Sequence, residues 1–148
     1  MSPLYIIGTG PGSLAHLTEA ARHAIADSGT VIGYGVYIDL IQPLLGGKEV
    51  VSTAMMQEVD RCREAIARAR NGATVSLVSG GDAGIYGMAG LVLELLERDA
   101  AEGDMEQPDV RVIPGVSAVQ AAASVLGAPL MHDFAVISLS DLERGDRS

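Results

Sequence analysis

The chain has 148 residues, 48% of them hydrophobic, which is long enough for one domain with a full core and short for two. Nineteen acidic residues against ten basic ones leave a net charge of −9, which argues against nucleic acid or an anionic membrane as the main partner. No apolar run approaches the roughly 20 residues of a membrane span, and a lone cysteine, Cys62, rules out an internal disulfide and fits a reducing compartment.

The N-terminus, MSPLYIIGTG, lacks the basic-then-apolar order of a signal peptide and reads as the first strand, Leu4–Ile7, of a cytoplasmic domain. After a glycine-rich turn, Thr18 caps a helix running through Ala26, with Ala20, Ala21, Ala24 and Ile25 on one face. Strands are expected at Thr30–Ile32 and Glu49–Ser52. A helix over Gln57–Arg70 follows, with Val59, Cys62, Ile66 and Ala69 at helical spacing and Asn71-Gly72 as its stop. Cys62 on that stripe reads as a small core residue. The bases Arg61, Arg63, Arg68 and Arg70, interleaved with Glu58, Asp60 and Glu64, read as a solvated face carrying a Glu64–Arg68 pair at i,i+4.

A strand over Thr74–Val78 runs into SGGDAGIYG, and a helix is expected over Met88–Arg98. The hydrophilic segment Asp99–Asp109 reads as a loop, and Val110–Ile113 as the next strand. Ser117 and Gln120 form an S-x-x-Q capping box for a helix that stops at Gly127, with Pro129 beyond. A last strand is expected at Phe134–Ser138, then a polar tail, with a domain boundary near Leu139. Strands alternating with helices predict an α/β fold: a mostly parallel sheet flanked by helices.

In such a sheet the loops leaving the strands' C-terminal ends gather at one edge, where ligands bind. Three of them carry unusual chemistry: GTGPGS at 8–13, SGGDAGIYG at 79–87 and PGVSA at 114–118. The stretch 77–90 holds five glycines around Asp82, more than a simple turn requires. Two readings of this loop stand side by side: Asp82 as a local cap, since aspartate hydrogen-bonds nearby backbone amides, and the paired Gly80 and Gly81 as bare backbone against which a flat or bulky ligand could press.

Familiar nucleotide signatures fail. A dinucleotide fingerprint needs a third glycine where Ser13 stands and an acid where Tyr34 follows the second strand. A phosphate-binding P-loop lacks its G-K-[ST], and the common methyltransferase fold wants acids where Ile6 and Tyr34 stand. His16, His23 and His132 are scattered without metal-ligand spacing. No nucleophile elbow surrounds Ser13, Ser79 or Ser140.

Taken together, GTGPGSLAHLT, VIGYGVYIDLI, VSLVSGGDAGIYGMAGLVLELL and VIPGVSAVQAAASVLGAPLMHDFAVISLSDL resemble the tetrapyrrole methyltransferase family over residues 4–142. The GYGVYIDLI, GDAGIYGMAG and HDFAVISLSDL stretches are most similar to its branch that methylates C17 of precorrin-3B. The resemblance implies S-adenosylmethionine as cofactor, a precorrin-type macrocycle as substrate, and methyl transfer to carbon with ring contraction in cobalamin biosynthesis. It implies a homodimer, and a second α/β domain beyond the SLSDL strand that shares the cofactor site. On that reading the chain is an N-terminal domain over 1–138, followed by a linker or the start of the second domain over 139–148.

Carried over residue by residue, the resemblance implies cofactor contacts from Pro11, Gly80, Gly81, Asp82, Ile85, Ser117 and Ala118. It supplies no catalytic residue; Asp82 is the single acid worth testing for that role. Two other readings compete. A non-catalytic or split-enzyme fragment would act as a binding or assembly module, and a nicotinamide-dependent oxidoreductase would rest on G-x-G alone.

Overall fold

A computed structural model describes residues 2–55, 57–103 and 106–139 of the chain. It divides into two compact units, Met1–Ala118 and Val119–Ser148. The first unit is an α/β layer structure. Its strands are β1 (Pro3–Gly8), β2 (Thr30–Tyr34), β3 (Glu49–Thr53), β4 (Val75–Ser79) and β5 (Asp109–Ile113). Among the described residues these form one sheet in the order β3-β2-β4-β1-β5, every neighbouring pair being parallel. The expected α/β class with a parallel sheet is therefore what the chain adopts.

The strands at the centre of the sheet read as near-continuous apolar runs because both of their faces are covered. In β1, Leu4 and Ile6 point into one core with Ile32, Val75 and Leu77. Tyr5 and Ile7 point into the opposite core with Val31 and Val78. Helices α3 (Glu58–Arg70) and α4 (Ala89–Ala101) cover the first face through Cys62, Ala65, Ile66, Val92 and Leu95. Helices α1 (Glu19–Asp27) and α2 (Gly35–Leu40) cover the second through Ala21, Ala24, Ile25 and Ile38.

Local signals act where the residues place them. Thr18 Oγ1 accepts the amide of Ala21 at 3.0 Å and starts α1. Gly72, at φ +93°, ends α3, and the amide of Ala73 reaches back to the carbonyl of Arg68 at 3.1 Å. The last helix, α5 (Ala118–Leu126), of which all but Ala118 belongs to the second unit, stops at Gly127 at φ +64°, where the Ala128 amide donates to the Ala123 carbonyl at 2.9 Å.

Several expectations need correction. Gly35–Leu40 forms a helix that weak periodicity in GVYIDL did not announce. Helix α4 runs on to Ala101, because Asp99 turns inward to meet Arg63 at 2.7 Å and Arg70 at 2.9 Å. On α3 Val59 is exposed, as is Ala20 on α1, whereas Arg61 is buried at 5% exposure and leaves the supposed solvated face. Residues 134–138 are not a strand: Phe134, Val136 and Ile137 are exposed, and a short apolar run becomes a strand only where a sheet takes it in. The polar tail from Ser140 onward lies outside the described residues.

Candidate functional site

The strand order sets the site. Because β4, β1 and β5 lie side by side and run parallel, the loops after them leave the same sheet edge as neighbours. Backbone bonds then join those loops. Beyond the end of β1, the Thr9 amide donates to the Ser79 carbonyl at 2.8 Å. Gly10 and Gly81 exchange two bonds, at 3.0 and 2.8 Å, as an isolated antiparallel bridge.

Glycine is required at the seams. A Cβ on Gly115 would lie 2.3 Å from the Gly81 carbonyl oxygen and 2.6 Å from that of Gly8. A Cβ on Gly8 would meet the same Gly81 oxygen at 2.5 Å. Gly81 itself sits at φ +63°, a region that glycine enters without strain.

Asp82 ties the second loop to the third. Its Oδ2 accepts the Gly84 amide at 2.8 Å, and its Oδ1 accepts the Gly115 amide at 2.8 Å. The carboxylate is therefore a bracket between two backbone segments. Ser117 is buried, and the open side of Gly81 faces the Ser117 Cα and the Ala118 amide at van der Waals range.

Of the residues singled out, Gly81, Asp82, Ser117 and Ala118 thus converge on one spot. Gly10 carries Pro11 next to it, with Pro11 exposed. Ile85 follows the Asp82 turn at 45% exposure, an uncovered apolar side chain on the same loop. The Cβ position of Gly80 points at Tyr37, 2.7 Å from its Cε1. What this arrangement can hold is a ligand recognised by backbone edges and apolar surface. The first loop is no phosphate cradle, since Ser13 caps a short 3-10 turn and α1 starts only at Glu19.

Sequence reasoning missed an adjoining cleft of about 240 Å³ lined by Tyr34, Tyr37, Glu58, Arg61, Ser79 and Tyr86, among others. Tyr34 and Tyr37 meet edge to face at 5.6 Å. Tyr86 holds φ +56°, an unusual value for a non-glycine residue. The Y-G-x-Y spacing after β2 was the available signal for the aromatic wall; nothing in the charge pattern marked Arg61 as buried. Among the described residues no group of three or more His, Cys, Asp or Glu side chains is arranged to hold a metal ion.

Comparison with known proteins identifies the family. The family model described as tetrapyrrole (corrin/porphyrin) methylases matches residues 3–148. A Salmonella typhimurium protein named as a probable cobalt-factor III C(17)-methyltransferase is 51% identical over 139 residues, covering 94% of this chain and 56% of that protein. The crystal structure of the methyltransferase CobJ superposes with a TM-score of 0.82 at 32% identity, over 98% of this chain and 62% of that one. The uroporphyrin-III C-methyltransferase of Thermus thermophilus, complexed with S-adenosyl homocysteine, gives a TM-score of 0.67 at 27% identity, over 88% of this chain and 50% of that one. The chain spans between 25% and 56% of the length of the curated relatives that it matches first.

Proposed function

The chain belongs to the tetrapyrrole (corrin/porphyrin) methylase family, and on that premise we propose that its glycine-lined edge is the N-terminal wall of an S-adenosylmethionine site. The activity we assign is C-methylation of a precorrin-type macrocycle at C17, with ring contraction, in cobalamin biosynthesis. The observation that carries this reading is the junction of three loops through Gly10–Gly81 and Asp82–Gly115. Support for the cofactor comes from the solved relative that holds S-adenosyl homocysteine. A relative named for cobalt-factor III makes the cobalt-bearing macrocycle the first substrate to try.

The residues fit such a cofactor. It has no phosphate, and the first loop offers no helix-start cradle of the kind that phosphate uses. When bound, S-adenosylmethionine supplies a methyl group on a positively charged sulfur, which a nucleophilic carbon takes directly. Bare backbone at Gly81, beside the Ala118 amide, offers polar groups to the amino-acid part of the ligand. Asp82 keeps the second and third loops at a fixed separation, and Ile85 and Pro11 shed water from the mouth. Rate then comes from orientation and water exclusion, for which no acid–base pair is needed.

We assign residues 1–138 to the N-terminal domain of this enzyme, with a second domain, a homodimeric assembly and a cytoplasmic location as the accompanying proposals. Titration calorimetry with S-adenosylhomocysteine tests the assignment: heat from this chain, alone or with an added C-terminal half, is expected. No heat in either case sinks it. One observation favours a second reading, a binding or assembly module: α5 has no buried residue, and Val125 and Leu126 are exposed at 86% and 77%. Oligomers on size exclusion, without methyl transfer after a C-terminal half is added, would select that reading.

A further inference from the structure

The cleft beside the cofactor loop contains a charge that the fold does not neutralise. Arg61 is 5% exposed, yet among the described residues its guanidinium bonds neutral partners alone: Nε donates to Thr53 Oγ1 at 2.6 Å and Nη2 to the Ala54 carbonyl at 3.1 Å. Among the described residues, Arg63, Arg68, Arg70, Arg98 and Arg111 form ion pairs with carboxylates, whereas the partly exposed Arg22 and the buried Arg61 form none. Burying a cation against neutral acceptors alone is costly, and a carboxylate brought to it in good geometry offsets part of that cost.

A second group in the same cleft is also unsatisfied. Ser79 is 6% exposed and its hydroxyl has no hydrogen-bond partner among the described residues, although its carbonyl accepts from Thr9. Both side chains line a space of about 240 Å³, with the Tyr34–Tyr37 pair as one wall. That volume suits one acidic side arm and is too small for a macrocycle. Glu58 is the one carboxylate among the residues lining it.

We propose that this cleft is a carboxylate subsite in which Arg61 pairs with, and the Ser79 hydroxyl donates to, one acidic side arm of the macrocycle. The inference rests on the methyltransferase reading, and it reconciles a chain of net charge −9 with a polyanionic substrate. Gly80, the residue after Ser79, lines the same cleft and precedes Gly81 of the cofactor loop. Gripping an arm here therefore turns the ring relative to the methyl donor, so Arg61 is a positioning residue.

The test titrates the chain with uroporphyrin III, a polycarboxylate macrocycle, followed by fluorescence, with S-adenosylhomocysteine calorimetry run in parallel. Arg61→Gln is expected to weaken porphyrin binding by about 10-fold or more, as for loss of a charge-assisted hydrogen bond, with the calorimetric heat unchanged. Arg61→Lys should recover part of the loss, and raising the salt should weaken the wild type more than Arg61→Gln. If Arg61→Gln does not fold by circular dichroism, Arg61→Lys and Ser79→Ala carry the test, each expected to weaken binding a few-fold. Porphyrin binding that is absent in the wild type, or unchanged in the folded variants, overturns the subsite. Loss of the calorimetric heat from the wild type, alone and with a C-terminal half, counts against the methyltransferase reading separately.

Discussion

The carboxylate of Asp82 and the amide of Gly115, 33 positions apart, meet at 2.8 Å and lock the loop after β4 to the loop after β5. Because the other oxygen of Asp82 accepts the Gly84 amide, one side chain satisfies two backbone donors. Asp82→Ala strands both. Each lost partner costs about 1–3 kcal/mol, so denaturant midpoints should fall and S-adenosylhomocysteine heat should vanish. Asp82→Asn keeps one acceptor and opposes the other amide with an N–H of its own. Its loss should be intermediate.

Glycines in the two neighbouring segments should behave in opposite ways. At Gly115 an added methyl would lie 2.3 Å from the Gly81 carbonyl oxygen, so Gly115→Ala must push two loops apart. A cost of about 2–4 kcal/mol is expected from such overpacking against backbone. At Gly90, in the first turn of α4, nothing outside the nearby helix backbone lies within 4 Å of the added atom among the described residues. Gly90→Ala should gain about 1 kcal/mol from helix propensity, raising the melting temperature by roughly 2–4 °C without changing cofactor binding.

Acid stability should depend on Asp99. Its carboxyl is held below the ordinary aspartate range by hydrogen bonds from Arg63 first and Arg70 second. A depressed folded value means that the stabilisation is fully present above the unfolded aspartate value of about 4 and is lost as the pH falls through the folded one. Asp99→Asn should therefore lower the urea midpoint at pH 7, and the difference from wild type should shrink by pH 3. An equal difference at both pH values would remove Asp99 from the account.

The single thiol should be silent. Cys62 is fully buried, 3.8 Å from the sulfur of Met88, and burial pushes its pKa up to about 11. Only the thiolate reacts at an appreciable rate. A disulfide reagent at pH 8 should therefore label the native chain only as fast as it unfolds, and at once in denaturant.

Much of this architecture was legible in the residues. Apolar runs such as LYII and SLV announce strands covered on both faces, and Thr18, Gly72 and Gly127 mark helix ends by chemistry that acts within a few residues. The three site loops could be recognised because glycine and proline are costly unless the backbone needs them. What escaped depended on partners distant in sequence. Asp99 looks like a loop residue until Arg63 and Arg70 face it across two helices. Arg61 looks solvated until Thr53 and Ala54 take its nitrogens. The run at 134–138 has strand composition, but composition alone does not supply a neighbour.

The strand order also dictates when this chain can fold. Strand β1 is synthesised first, but its neighbours are β4 and β5, so Ile6 meets Leu77 only after the first three helices have left the ribosome. Until then β2 and β3 are the only neighbouring strands yet made, and β3 is an edge with a half-exposed face. Emergence of β4 inserts the missing centre between β2 and β1 and closes both cores together. Folding is thus a late event with high contact order. A nascent chain stalled before Val75 carries β1 with neither of its sheet neighbours yet made.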